Sequence, residues 1–189
     1  MVSMIKLKKK FLPNKIISTI FLVAFYLYSR LIHLTIMPVF CDEAIYIRWS
    51  QIIKNIDTMR FIPMSDGKQP LFMWLMVPFF KFISDPLVAG RFISVLSGFG
   101  IIIALFCIYY FFIEKNFYRS LIPVIIYILL PFTFFFDRLS TADNLLSMFG
   151  IWSLLFSLLL AKHPRFDLSF ILGIVLGLAW LTRSPEFSK

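Results

Sequence analysis

Residues 92–113 read FISVLSGFGIIIALFCIYYFFI, 22 residues without a charge. A helix needs about 20 mainly apolar residues to cross a hydrocarbon core of roughly 30 Å. Three further runs are similar. Residues 16–41 hold one charge, Arg30; residues 120–136 and 144–161 hold none over 17 and 18 positions. A fifth, 168–182, has 15 uncharged residues followed by Arg183 and is short for a full crossing. The predicted class is all-α: a polytopic transmembrane helical bundle, with spans at about 16–37, 91–113, 119–136, 144–161 and 168–182.

Composition agrees. Of 189 residues, 60% are hydrophobic and 15% charged, too few polar groups to cover a soluble surface. The net charge of +9 invites a nucleic-acid reading, but Lys6, Lys8, Lys9, Lys10 and Lys15 precede Ile16 with no acid among them. That is a juxtamembrane cluster facing anionic lipid. No basic face continues into a folded domain, so nucleic acid is not an expected partner. Cys41 and Cys107 have neither CxxC nor metal-ligand spacing.

The run 71–80, LFMWLMVPFF, makes about 15 Å of helix and is too short to cross. It is predicted as an interfacial or re-entrant helix. With it excluded as a span, segments 1–15, 114–119 and 162–167 fall on one side and bring Lys115, Arg119, Lys162 and Arg165 to the N-terminal lysines. The positive-inside rule then places the N-terminus in the cytoplasm of a multi-pass plasma-membrane protein. Residues 38–90 become one outer loop carrying interfacial juxtamembrane helices. It holds Asp42, Glu43, Asp57, Asp66 and Asp85, half of all the acids, which directs the search for chemistry to that face. Within it Ile45, Trp49, Ile52, Ile53 and Ile56 recur at helical spacing, opposite Arg48, Gln51, Lys54 and Asn55. The expectation is an amphipathic helix on the membrane surface, the alternative a helix packed on the rest of the loop.

Asp42 and Glu43 follow the first span directly. A carboxylate there can act as general base or bind a hard cation; Asp42 can also simply be the N-cap of a helix starting near Ala44. Asp137, Arg138 and Asp143 occupy the turn before the fourth span, where Ser140 and Asn144 are candidate caps. Lys68 can hold a phosphate as a point charge or snorkel, and Arg91 has the same two readings. Arg183 follows a short helix and is expected below the outer surface, where an ionisable group usually has a function; the alternative is an effect of the chain ending there. Arg30, inside the first span, is expected to pair with an inward acid or snorkel. No Gly-rich phosphate loop, HExxH or GxSxG occurs.

Five short motifs stand in one order: Pro38-Val-Phe-Cys-Asp42-Glu43-Ala44; Gly67-Lys68-Gln69-Pro70-Leu71 with Trp74; Val88-Ala-Gly-Arg91; Asp137-Arg138-Leu-Ser-Thr-Ala-Asp143; and Leu181-Thr182-Arg183-Ser184-Pro185. This order resembles the type C membrane glycosyltransferases, in particular the dolichyl-phosphate-mannose protein mannosyltransferase-like family, which includes the bacterial aminoarabinose transferases of lipid A. The resemblance implies transfer of a sugar from a polyprenyl-phosphate-linked donor to a protein, lipid or glycan acceptor at the outer face, with inversion. It implies Asp42, Glu43 and Asp143 as catalytic residues, and Lys68, Arg91, Arg138 and Arg183 as phosphate-holding cations. Some relatives bind a divalent metal here and others do not, so no cofactor is assigned. Three positions depart from the family pattern: Gln69 replaces a proline, Gly67 stands where some relatives have an acid, and Arg183 replaces a lysine. Glu186-Phe-Ser-Lys189 does not continue an apolar helix, and the expectation is the N-terminal part, 1–189, of one transmembrane domain of a longer chain. The rival readings are a transporter or lipid flippase, which would use Arg30, Asp42 and Asp143 as a path, or a non-catalytic remnant.

Overall fold

A computed structural model describes the backbone of residues 2–183 and the side chains of residues 14–183. The side chains of Lys6, Lys8, Lys9 and Lys10, and all of Ser184, Pro185 and Glu186-Phe-Ser-Lys189, lie outside these described residues. The described chain is helical throughout, with no strand. Its α-helices are α1 (Val2–Leu31), α2 (Cys41–Asn55), α3 (Leu71–Phe79), α4 (Pro86–Ile108), α5 (Phe117–Leu129), α6 (Pro131–Phe136), α7 (Ala142–Lys162) and α8 (Phe166–Thr182). Two short 3-10 turns, Asp57–Met59 and Ile62–Asp66, connect α2 to α3.

α4 is the central element. A single π-turn, Tyr109–Ile113, prolongs it, so Pro86–Ile113 is one apolar stretch of 28 residues, long enough to cross a membrane. Among the described residues α7, with 21 residues, is the second helix both long and apolar enough to cross, while α5 and α8 are shorter apolar helices. One side of α4 packs on α1 and α5 through Tyr26, Val95, Ile102, Val124 and Ile128. The other meets α2, α3 and α7 through Ile53, Phe72, Met76, Ile93, Leu145 and Phe149. Away from these contacts the helices carry bare apolar side chains: Ile17 and Phe21 on α1, Phe170 and Trp180 on α8. Such a surface is stable only against lipid or more protein. The molecule is a helical membrane bundle.

One buried polar cluster ties the apolar helices together. Asp137 is fully buried and accepts from Arg30 Nε at 3.1 Å, Tyr127 Oη at 2.8 Å, Asn144 Nδ2 at 3.0 Å and Tyr26 Oη at 3.3 Å. The acid expected for Arg30 is therefore Asp137, and the pair joins α1 to the α6–α7 turn. Gly98 makes room for it: a Cβ there would sit 2.6 Å from Asp137 Oδ1. In lipid, small residues are what let helices and polar groups approach this closely.

The structure corrects four sequence expectations. The run 119–136 is two helices, because Leu130 is extended (φ −66°, ψ 124°) ahead of Pro131. Proline disfavours the helical region for the residue before it and has no N–H to continue the ladder. α2 starts at Cys41, one turn earlier than its apolar spacing suggests, and Asp42 is not its N-cap. The cap is made by Glu43, whose Oε2 accepts the Phe40 amide at 3.0 Å. α2 also packs on α3 as in the alternative reading, with Glu43, Ser50 and Ile53 buried and Tyr46 edge-on to Phe72. Asn144 caps no helix either: it donates to Ser94 O at 2.6 Å and to Asp137.

Candidate active site

Four segments converge at one end of the bundle. The first turn of α2 supplies Asp42 and, one turn on, Tyr46. Gly67 caps the second 3-10 turn in the left-handed region (φ 71°), which a glycine adopts without cost, and this reversal sends Lys68 and Gln69 back towards α2. The start of α7 brings Asp143, and the end of α8 brings Thr182 and Arg183. Together they line an open polar cleft of about 200 Å3.

Its charges are arranged as two pairs. Lys68 Nζ lies 3.3 Å from Asp42 Oδ1, and Arg183 Nη1 pairs with Asp143 Oδ1. Lys68 also sits 4.9 Å above the Tyr46 ring and 5.9 Å from that of Trp49. Partial burial works against its charge, but Tyr46, Asp42 and Asp66 outweigh it, so its pKa is raised and Lys68 stays protonated. Burial holds the Tyr46 hydroxyl above its ordinary pKa, so it enters the cleft as a neutral donor. Asp42 and Asp143 are each about half exposed (47%), accessible to a ligand rather than locked in the core.

Glu43, Arg91 and Arg138 are elsewhere. Glu43 and Arg91 are completely buried behind the cleft and form a two-pronged pair, Nε to Oε1 at 2.9 Å and Nη2 to Oε2 at 2.8 Å. Glu43 Oε1 also accepts the Ser140 amide at 2.6 Å. Arg91 further donates to the carbonyls of Leu34, Met37 and Pro38. Burial pushes the Glu43 pKa up, but Arg91 and the Phe40 and Ser140 amides prevail and hold it below the usual carboxylate range. Arg138 Nη2 donates to the carbonyls of Ile32 at 2.8 Å and His33 at 2.6 Å, satisfying the C-terminal end of α1. Of the seven residues singled out in the sequence, the cleft gathers Asp42, Asp143, Lys68 and Arg183. The other three tie together the segments that carry them. Tyr46 and Thr182 join the cleft without having been singled out; for Tyr46 the signal was its position four residues after Asp42.

Hard cations take oxygen ligands, and Mg2+ is often held by one or two carboxylates together with substrate phosphates. Here two carboxylates face the cleft, each already neutralised by a base, and the described residues hold no group of three or more His, Cys, Asp or Glu placed for a metal.

The family model for dolichyl-phosphate-mannose-protein mannosyltransferase matches residues 67–187. The chain belongs to that family. Membership makes it a membrane glycosyltransferase by class. The matched region contains Lys68, Asp143 and Arg183, while Asp42 precedes it and enters through its contact with Lys68. Neither the curated proteins nor the solved structures contain a match to this mannosyltransferase-family chain.

Proposed function

We propose that this chain carries the catalytic cleft of a transferase that moves a sugar from a polyprenyl-phosphate donor to a hydroxyl acceptor on the outer face of the membrane. One observation carries the reading: two carboxylates and two cations from four segments face one cleft, beside the end of the apolar helix α7. The leaving group of such a reaction is an anionic lipid phosphate. Its charge grows as the anomeric C–O bond breaks, so cations placed against it favour the transition state over the ground state. Lys68 and Arg183 take this role. A phosphate draws them away from Asp42 and Asp143, which frees both carboxylates for the acceptor.

Asp42 then accepts the proton of the attacking hydroxyl. Attack from the face opposite the phosphate inverts the anomeric centre. Asp143, across the cleft, orients the acceptor or the sugar by hydrogen bonding, and neutral Tyr46 offers a donor to a sugar oxygen. The basic residues Lys115, Arg119, Lys162 and Arg165 all lie at or next to the helix ends opposite the cleft, which supports a cytoplasmic N-terminus and an outward-facing cleft. A transporter or flippase is less well supported. The cleft sits at helix ends rather than midway, and the membrane-depth pair Arg30–Asp137 is saturated and closed to solvent.

The test is Asp42→Asn, which keeps the shape of the side chain and removes its basicity. Transfer from a polyprenyl-phosphate sugar is expected to fall by roughly 10²–10⁴-fold, with membrane insertion unchanged. Wild-type turnover in this variant would remove Asp42 from catalysis.

A further inference from the structure

The face of α2 turned away from Asp42 and Tyr46 lines a second polar cleft, of about 240 Å3. Arg48, Gln51, Lys54 and Asn55 form one wall, and Phe80 and Ser84 close it from the turn between α3 and α4. The proposed sugar transfer makes no use of this cleft.

Its two cations are unspent. Among the described residues, neither Arg48 nor Lys54 has an ion-pair partner. The neighbouring acids are engaged: Asp57 pairs with Arg60 at 3.2 Å, and Asp85 accepts the Leu87 amide at 2.9 Å to cap α4. Lys54 Nζ is steadied 5.7 Å from the centre of the Phe80 ring, which leaves its N–H donors free. A guanidinium, an ammonium, two side-chain amides and a hydroxyl around one concavity are the donors a phosphate needs.

The depth of the cleft selects the kind of phosphate. Pro86, on its rim, is the first residue of the apolar stretch Pro86–Ile113. The cleft therefore lies where that helix leaves the hydrocarbon, at headgroup level. In the same turn Phe82 is 85% exposed, a bare ring beside a polar pocket. In water such a ring is a cost; beside a lipid headgroup it rests among acyl chains. Polar and apolar parts thus match a phosphate and chains in one molecule.

We propose that the Arg48–Lys54 cleft binds the phosphodiester headgroup of an anionic phospholipid, clamping α2 to the membrane surface. The chain would be reconstituted in phosphatidylcholine bilayers doped with spin-labelled phosphatidylglycerol, as wild type and as the double variant R48Q/K54Q. The N-terminal lysines are present in both, so the difference reads Arg48 and Lys54. Removing two headgroup-level cations is expected to lower the preference of the bound lipid population for phosphatidylglycerol roughly thirtyfold. An unchanged preference overturns the proposal. So does displacement of the labelled lipid by millimolar inorganic phosphate, which would make the cleft a site for free phosphate. If the double variant melts below the wild type, the single variants Arg48→Glu and Lys54→Glu give the same reading under the same two criteria.

Discussion

At the residue scale, the cleft is a balance of four charges that a phosphate can tip. Asp42 stands in the first turn of α2, where the helix dipole favours a negative charge, and Lys68 reaches it from the loop before α3. Both are partly open to water, so the pair itself adds little to stability. Its value is positional: it keeps an ammonium and a carboxylate within one substrate's reach. Lys68→Ala is expected to raise the KM for a polyprenyl-phosphate sugar about tenfold or more, the loss of one charge-assisted contact, and to leave the acceptor KM near wild type. Steady-state kinetics with each substrate varied in turn would check this. An effect confined to the acceptor would contradict the phosphate role.

At the element scale, Glu43 is the junction. It receives the Phe40 amide of α2, the Arg91 guanidinium of α4 and the Ser140 amide that precedes α7, and Arg91 extends the hold to the α1–α2 linker. Asp42 and Asp143 are carried by two of the elements so joined. Breaking a buried pair on one side leaves an uncompensated charge and costs about 3–5 kcal/mol. Glu43→Gln is expected to lower the melting temperature in detergent markedly. The pH dependence carries a sign. The folded pKa of Glu43 is below the unfolded value of about 4.3. Its contribution is therefore complete above that unfolded value and is lost as pH falls through the folded one. Wild-type melting temperature should drop on acidification below about pH 4, and Glu43→Gln should flatten that drop. Equal acid sensitivity in the two proteins would show that other carboxylates govern it.

Much at this scale was legible in advance. The charge-free runs located α4 and α7, and the short run before Lys81 marked α3 as a helix that does not cross. The face of α2 was not legible, because Ile45, Ile52 and Ile56 describe a helix meeting a flat surface. α3 lies alongside instead and buries Ser50 and Ile53. The break at Pro131 was visible in the sequence; hydropathy counts a proline as uncharged and reads through it.

At the scale of the molecule, the cleft and the loop 38–90 share one end of the bundle, and orientation decides which compartment they meet. Cys41, exposed beside Asp42, and Cys107, half-buried within α4, report it. A membrane-impermeant maleimide applied to intact cells is expected to label the Cys107→Ser protein through Cys41 and to leave Cys41→Ser unlabelled. Labelling of Cys41 only after the membrane is opened would turn the cleft inward and end the outer-face assignment.

The sequence by itself determined the class: runs this apolar and this long have no stable place except in lipid, and in lipid their backbone must close its own hydrogen bonds. It also determined which side chains could carry chemistry, since so few are ionisable. Only the tertiary structure decided which of them meet. Glu43 is the residue next to Asp42, yet one is buried under Arg91 and the other opens to the cleft, because adjacent positions on a helix point about 100° apart. Arg183 reaches Asp143 across 40 residues of chain because α8 turns back along α7. Partners so distant in sequence leave no local pattern. Their meeting is set by the packing of helices whose contacting faces are apolar and interchangeable in any reading of the sequence.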